Sequence, residues 1–394
     1  MSSQVTQNID EMASLAKSAD FETDEKARAR ALYLSKLITA GLREPEDAAM
    51  ELCFYPTFAA AARMAIDLKL FHLIAASTGA TSAAELEKAS GSSEALIIRL
   101  LRPLAGLGFV QEAGDNFWIA NPITRAMCVP AVEANHIHFW DQGTTSAVKM
   151  PAFFRNTGYQ QPEDPRNGLF QYAFGTDKEA FELWGTRPGV IDNFNTAMSG
   201  VRVNRPSWVE WWPVEERVLK GFEEEDDNGV LLVDIAGGRG HDVQAFKNKF
   251  PSRKGRLVLE DLPVVINDIQ KLDGDIERVK YDFFTPQPII GARVYFFHFI
   301  MHDWSDDICV KILTQTASTM KRGYSKILLN EFILPDQGCP LLLSGYDLQM
   351  MTLHAAQERT ETQWKALLPK AGLKIIGFWV PDGGGEGIIE AELA

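Results

Sequence analysis

Two groups of residues in this 394-residue chain have the types and spacing for chemistry. The first is the turn Asp234-Ile235-Ala236-Gly237-Gly238-Arg239-Gly240, which follows the apolar run VLLVDI at 230–235. Gly238 and Gly240 permit a tight turn and close approach of a ligand to the backbone. The turn carries an acid at the strand end, which disfavours a diphosphate but suits a cationic sulfonium with its ammonium group. It also lacks a full dinucleotide fingerprint, since counting from Gly238 the third glycine position is Val243, and it lacks the phosphate-loop Lys-Ser/Thr. About twenty residues on, Glu260-Asp261 closes the run RLVLED, where an acid can bind ribose hydroxyls.

The second group is His302, Glu331 and Glu358. His302 lies three residues past the apolar run 293–299, which sets it at the carboxyl edge of a strand, where α/β folds bind ligands. Glu331 ends the next run at the same edge, and Glu358 precedes a helix expected to start near Thr360. A neutral imidazole suits proton abstraction near neutral pH. A carboxylate beside it fixes its tautomer and stabilises the imidazolium formed. Each has a structural alternative: His302 as a cap for a helix whose first turn is Ser305-Asp306-Asp307, and Glu358 as an ion-pair partner of Arg359 or a helix cap.

The elements that must position these groups change character along the chain. Residues 26–73 follow a helical period through Leu32, Leu34, Leu37 and Ile38, then Phe58, Met64, Ala65 and Leu68. Residues 81–122 read as helix, turn, helix and hairpin. Thr81 or Ser82 caps the first helix with Glu85 as capping-box acid, Gly91-Ser92-Ser93 supplies a turn and a second cap, and Ala113-Gly114-Asp115-Asn116 turns the hairpin. This is a winged-helix pattern, but its few basic residues are outnumbered by acids, so it reads as a packing or dimerisation module rather than a DNA reader. Residues 126–225 form a helical, aromatic-rich connector, and the acidic run Glu223–Asn228 reads as a solvated turn.

From Gly229 onward, apolar runs alternate with helical stretches: 230–235, 256–261, 293–299, 326–331, 373–379 and 387–393, with a weaker seventh at 277–281. That pattern predicts a largely parallel sheet covered on both faces. The connection 380–386 is too short for a parallel crossover, so the last two strands should be antiparallel. The expected fold is α/β: a Rossmann-like sheet of seven strands, the last antiparallel, behind an N-terminal helical winged-helix domain. Expected boundaries are 1–125, 126–228 and 229–394.

Composition narrows the function classes. A net charge of −14 disfavours nucleic acid. No apolar run approaches the ~20 residues that span a bilayer, and the first thirty residues show no signal peptide. The extreme N-terminus reads as a frayed or partner-clasping helix. Cys53, Cys128, Cys309 and Cys339 form no metal-binding spacing, so no metal is expected, and they read as reduced, mostly buried thiols of a cytoplasmic protein.

The ordered motifs Asp234-x-Ala236-x-Gly238-x-Gly240, LEDLPVVI, FFTPQP, HDWSDD, LLNEFILPD and QERTETQW closely resemble those of the caffeate-type S-adenosylmethionine-dependent O-methyltransferases. The fungal members acting on aromatic secondary metabolites look nearest, and the resemblance covers about residues 50–394. It implies S-adenosylmethionine as cofactor, a homodimer built on the winged-helix segment, and methyl transfer to a hydroxyl of an aromatic or polyketide-type metabolite. It assigns His302 as general base with Glu331 and Glu358 as orienting acids. It carries Asp234, Gly238, Asp261, Asp282, Phe283 and His298 to the cofactor. For substrate, apolar candidates are Phe194, Met198, Met301, Trp304, Met350 and Met351, and His136, His138 and Trp140 on the connector are further candidates to reach the cavity. The chain departs from the family pattern at Ala236 (a motif glycine), His298 (a Lys or Arg) and Gln357 (a Lys). The same branch includes methyltransferase-like pericyclases that bind the cofactor without transferring methyl, an alternative the motifs leave open.

Overall fold

The structure is a computed structural model and describes residues 2–201, 206–222, 229–381 and 384–394. The acidic run Glu223–Asn228 lies outside the described residues. The chain forms two compact units: Met1–Trp140 with Asn193–Gly200, and Asp141–Asp192 with Val201–Ala394.

In the first unit, the continuous helical pattern of 26–73 is cut into Glu25–Leu42, Pro45–Leu52, Tyr55–Asp67 and Leu70–Ala76. Prolines open the second and third pieces, where a missing N–H is harmless, and Lys69 turns the chain with a left-handed φ of 55°. The N-terminal helix Ser2–Leu15 is tied by a Glu11–Arg30 ion pair. Helices Ala83–Ser90 and Glu94–Gly106 and the hairpin Gln111–Gly114/Phe117–Ile119 complete the winged-helix pattern. Ser82, not Thr81, makes the capping box with Glu85. The second cap differs from expectation: the Ser93 side chain makes no capping bond, and the N–H of Glu94 is taken by the Glu87 carboxylate at 3.1 Å. Leu34, Ile66, Leu70, Leu86, Ile97 and Leu101 fill the core, whereas Leu32, Tyr33, Leu42, Leu52 and Phe54 stay exposed.

In the second unit all seven expected runs are strands of one sheet. In chain order they are Val230–Ile235, Arg256–Asp261, Ile276–Lys280, Val294–His298, Lys326–Leu334, Leu373–Trp379 and Glu386–Leu393. Across the sheet the order is sixth, seventh, fifth, fourth, first, second, third. The first five strands pair in parallel, and the seventh is antiparallel to both the fifth and the sixth. The inner strands are buried on both faces, which is why they read as unbroken apolar runs. The fifth runs on to Leu334, where the two-residue strand Arg359–Thr360 pairs with it in parallel. Contrary to the expectation of mostly buried thiols, only Cys309 is buried and Cys53 is exposed.

The sheet presents its carboxyl edge where the first strand breaks into the glycine-rich turn. Ala236 there holds φ 55°, a left-handed conformation that costs an L-residue about 1–2 kcal/mol. Glycine at that position removes the strain but adds about 0.5–1 kcal/mol of unfolded-state freedom. Ala236→Gly is therefore expected to stabilise this unit by about 0.5–1 kcal/mol. Urea unfolding followed by tryptophan fluorescence reads this as a raised midpoint, and a lowered midpoint would show the methyl group to be a needed contact.

Candidate active site

Two clusters occupy the carboxyl edge. The first is built on the glycine turn. Asp234 is fully buried and its carboxylate accepts the N–H of Val243 at 3.2 Å, tying the strand to the helix His241–Lys249. A Cβ on Gly237 would sit 2.5 Å from that carboxylate, so the turn closes only with glycine there. Gly238 has φ 60° and an added Cβ would project into open space, leaving room over the turn. The N–H of Gly238 is taken by Asp261 Oδ2 at 2.8 Å, and Oδ1 accepts the N–H of Leu262 at 2.7 Å. Burial holds the Asp261 carboxyl above its usual range against these two bonds. Asp261 thus shapes the turn as well as facing it, a role spacing alone did not show. Its neighbour Glu260 is fully buried against Gln287, and burial pushes it up to about 7.

Asp282 and Phe283 follow the third strand. Asp282 is exposed and caps its own turn through the N–H of Phe284 at 3.0 Å, while Phe283 packs edge-on to Trp304 with ring centroids 6.1 Å apart. His298 ends the fourth strand with Nδ1 2.9 Å from Asp242 Oδ2 and Nε2 4.0 Å from Glu386. The residue standing where the family has a Lys or Arg thus lies between two acids. Asp242 gave no signal beyond being an acid in a first helical turn, and Glu386 lies 88 residues from His298.

The second cluster centres on His302, in the short 3₁₀ turn Met301–Asp303. Its Nδ1 lies 2.8 Å from Glu358 Oε1 and 4.0 Å from Glu331 Oε2, and its Nε2 is 3.7 Å from Asp303 Oδ1. Glu331 is fully buried and acts mainly on the backbone, accepting the N–H groups of Ile300 at 3.0 Å and Met301 at 2.8 Å. Glu358 is held from behind, its N–H donated to Asp347 at 3.0 Å. The Phe299 ring stacks on the imidazole at 5.0 Å and 13°, and Phe299 itself holds a left-handed φ of 54°. His302 caps no helix, since Ser305 holds the cap position of Asp306–Ala317. Arg359 pairs with Asp306, not with Glu358.

Burial alone would lower the imidazole's proton affinity. The charges of Glu358, Asp303 and Glu331 and the bond to Glu358 outweigh it and carry His302 up to about 10. Burial raises Glu331 to about 7, against the opposing pull of His302. The ligand-type atoms of His302, Glu331 and Glu358 lie within 4.8 Å of one another, close enough to hold one cation.

The apolar candidates divide. Met301 is fully buried in the core cluster that includes Cys309, Ile312 and Trp364. The structure therefore corrects its expected place on a substrate surface, because the turn that lifts His302 points the Met301 side chain inward. Met350 is buried and Met351 half-buried on the helix Leu341–His354, and Trp304 is half-buried. Phe194 and Met198 lie on the helix Val190–Val201, where Phe194 packs on His138 at 5.3 Å within the first unit. His136 is half-buried there, and burial lowers its proton affinity.

The antiparallel seventh strand, slotted between fifth and sixth, separates this sheet from a dinucleotide fold and makes the protein a methyltransferase-type enzyme. Comparison with known proteins narrows the class. The O-methyltransferase domain family matches residues 159–374, and the O-methyltransferase dimerisation domain matches 50–129. The O-methyltransferase penC of Penicillium thymicola is 40% identical over 373 residues, 94% of this chain and 92% of that protein. The O-methyltransferase asqD of Emericella nidulans is 40% identical over 85% of this chain and 87% of its own length. Among solved structures, LepI in complex with SAM aligns with a TM-score of 0.87 at 28% identity, covering 99% of this chain and 100% of that one. OxaC with sinefungin and meleagrin aligns at 0.86 and 26%, covering 99% of each. The chain belongs to the O-methyltransferase family, whose cofactor is S-adenosylmethionine.

Two outcomes follow from the geometry. Asp261→Ala removes the acceptor that closes the turn, so S-adenosylmethionine should bind at least about tenfold more weakly, as for loss of a charged hydrogen bond worth about 1.5–3 kcal/mol; unchanged affinity by calorimetry would contradict this. A proton held to about 10 leaves His302 neutral only as pH rises through that value, so kcat/KM should climb with pH across the alkaline range. Glu358→Gln removes the nearest carboxylate and should move that limb toward neutral pH with the same substrate. A limb that stays in place would mean another group controls it.

Proposed function

We propose that this protein transfers a methyl group to a hydroxyl of an aromatic or polyketide-type secondary metabolite, with His302 as the general base. The observation that carries this reading is the 2.8 Å contact between His302 Nδ1 and a buried Glu358 carboxylate. The contact fixes the tautomer that leaves Nε2 to accept a proton. Residues 1–125 serve dimerisation, 126–228 connect, and 229–394 bind the cofactor.

S-adenosylmethionine supplies the methyl group and leaves as S-adenosylhomocysteine. Gly238, Asp234, Asp261, Asp282, Phe283 and His298 hold it. The acid-lined turn, with its open space at Gly238, fits a cationic ligand. A phenol has a pKa of about 10, matched to an imidazolium held to about 10. Proton transfer from substrate oxygen to His302 is then close to thermoneutral, the condition under which a base adds least to the barrier. Glu358 and Glu331 stabilise the imidazolium as the hydroxyl oxygen becomes nucleophilic. Met350, Met351 and Trp304 are the apolar residues that the second unit offers to a planar substrate.

A homodimer follows from the matched dimerisation segment and from the exposed Leu32, Tyr33, Leu42, Leu52 and Phe54 around its start, a group that a second copy would cover. No helix among the described residues is long and apolar enough to cross a membrane, and we place the enzyme in the cytoplasm.

One observation favours a second reading. The solved structure of a pericyclic reaction enzyme aligns at a TM-score of 0.87 over 99% of this chain. In that reading the cofactor stays intact and the product is an isomer or dehydrated compound. Incubation with methyl-deuterated S-adenosylmethionine and candidate phenols separates the two. Methylation gives one labelled methyl per product with equal S-adenosylhomocysteine, and His302→Ala lowers turnover by about 10²–10⁴ at nearly unchanged cofactor affinity. Product of altered skeleton with the cofactor unconsumed would overturn methylation. Equal loss of cofactor binding in His302→Ala would overturn the base assignment.

A further inference from the structure

Arg359 is the largest charged side chain in the protein's interior among the described residues, with no side-chain exposure. A buried guanidinium must satisfy its donors locally or unfold its surroundings. Its donors converge on one short stretch of backbone. Nη1 donates to the carbonyl of Met301 at 2.8 Å, Nη2 to the carbonyl of Trp304 at 2.7 Å, and Nε to Asp306 Oδ1 at 2.9 Å. The two carbonyls bracket His302 and Asp303. The guanidinium carbon also sits 5.4 Å over the Trp364 ring, which closes its remaining face.

The residue before it is Glu358, whose carboxylate holds the imidazole of His302. Arg359 also opens the two-residue strand that pairs with Ile333-Leu334, two residues beyond Glu331. One dipeptide therefore grips the catalytic turn twice: Glu358 holds the ring and Arg359 holds the main chain that carries it. Without the second grip, the separation of His302 from Glu358 would depend on a 3₁₀ turn of three residues.

We propose that Arg359 is a positioning residue for the proton-transfer step, a clamp that fixes the His302 turn against the segment bearing Glu358. It touches neither cofactor nor reacting atoms. A lysine cannot replace it, because two carbonyls and a carboxylate in one plane require a planar fork of donors. The inference rests on the reading of His302 as the base, so its test includes a measurement that does not involve turnover.

The experiment uses the full chain labelled with ¹⁵N-histidine, following the His302 ring through a pH titration without substrate. In Arg359→Met, which keeps side-chain length and removes the buried charge, the ring should titrate at least about one unit lower than in the unaltered protein. One unit corresponds to tenfold in proton affinity. Turnover should fall about tenfold to a hundredfold, the scale of a misplaced catalytic group, with S-adenosylmethionine affinity within about twofold of the starting value, roughly 0.4 kcal/mol. Arg359→Lys should resemble Arg359→Met rather than the unaltered protein. If Arg359→Met does not fold, Asp306→Asn loosens the same guanidinium from its half-exposed partner, and the same shift of the His302 titration is expected. An unmoved titration in a folded variant of either kind overturns the clamp. A moved titration with His302→Ala fully active would leave the clamp standing and overturn the base reading instead.

Discussion

The site depends on one buried charge arrangement: an imidazole enclosed by three carboxylates at the carboxyl edge of the sheet. Taken from water singly, each of these groups would lose its charge. Held together, the imidazolium and the carboxylates stabilise each other's ionised forms while Glu358 and Glu331 repel, and the balance goes to the proton on His302, held up to about 10. Glu358 makes the direct contact, Glu331 secures the backbone beneath, and Asp303 faces the opposite ring nitrogen. Moving any one of them by an ångström changes both the ring's orientation and its proton affinity, so the surrounding fold must be rigid.

Much of the local structure meets that requirement. Glu331 lies in a strand buried at every residue, and Glu358 is braced by Asp347. The strained Phe299 backbone presents its ring to His302, where stacking contributes about 0.5–1.5 kcal/mol. The neighbouring glycine-rich turn shows the same economy. Ala236 tolerates a left-handed conformation, and Gly237 admits the Asp234 carboxylate where no side chain fits. His298, standing where the family has a Lys or Arg, lies 2.9 Å from Asp242.

The sheet was legible in the sequence because strands buried on both faces must be apolar along their length. The antiparallel closure was legible because the last connection is too short to cross over. The helical region 26–73 was less so: periodicity shows which face is apolar but not where prolines and a left-handed Lys69 divide it. In the site, His302, Glu331 and Glu358 could be named from strand ends and motif order. What each carboxylate bonds could not, because Glu331 lies 30 and 31 residues from the backbone groups it accepts and Glu358 lies 56 from His302. Arg359 was visible only as a neighbour of Glu358, and its grip on Met301 and Trp304 is a tertiary fact with no local signature. Met301 shows the reverse case, an apolar residue beside His302 that a tight turn directs into the core.

The enclosure of His302 by carboxylates can be read directly. ¹⁵N spectra of the histidine-labelled protein, recorded from pH 6 to pH 11 (a range set by the reference imidazole near ~6.5 and the phenol near ~10), follow the ring itself. A His302 signal that keeps both ring protons through neutral pH and titrates near 10 is the predicted result. A ring that loses its proton near the ordinary value of 6.5 would contradict it, because the carboxylates would then not govern the base.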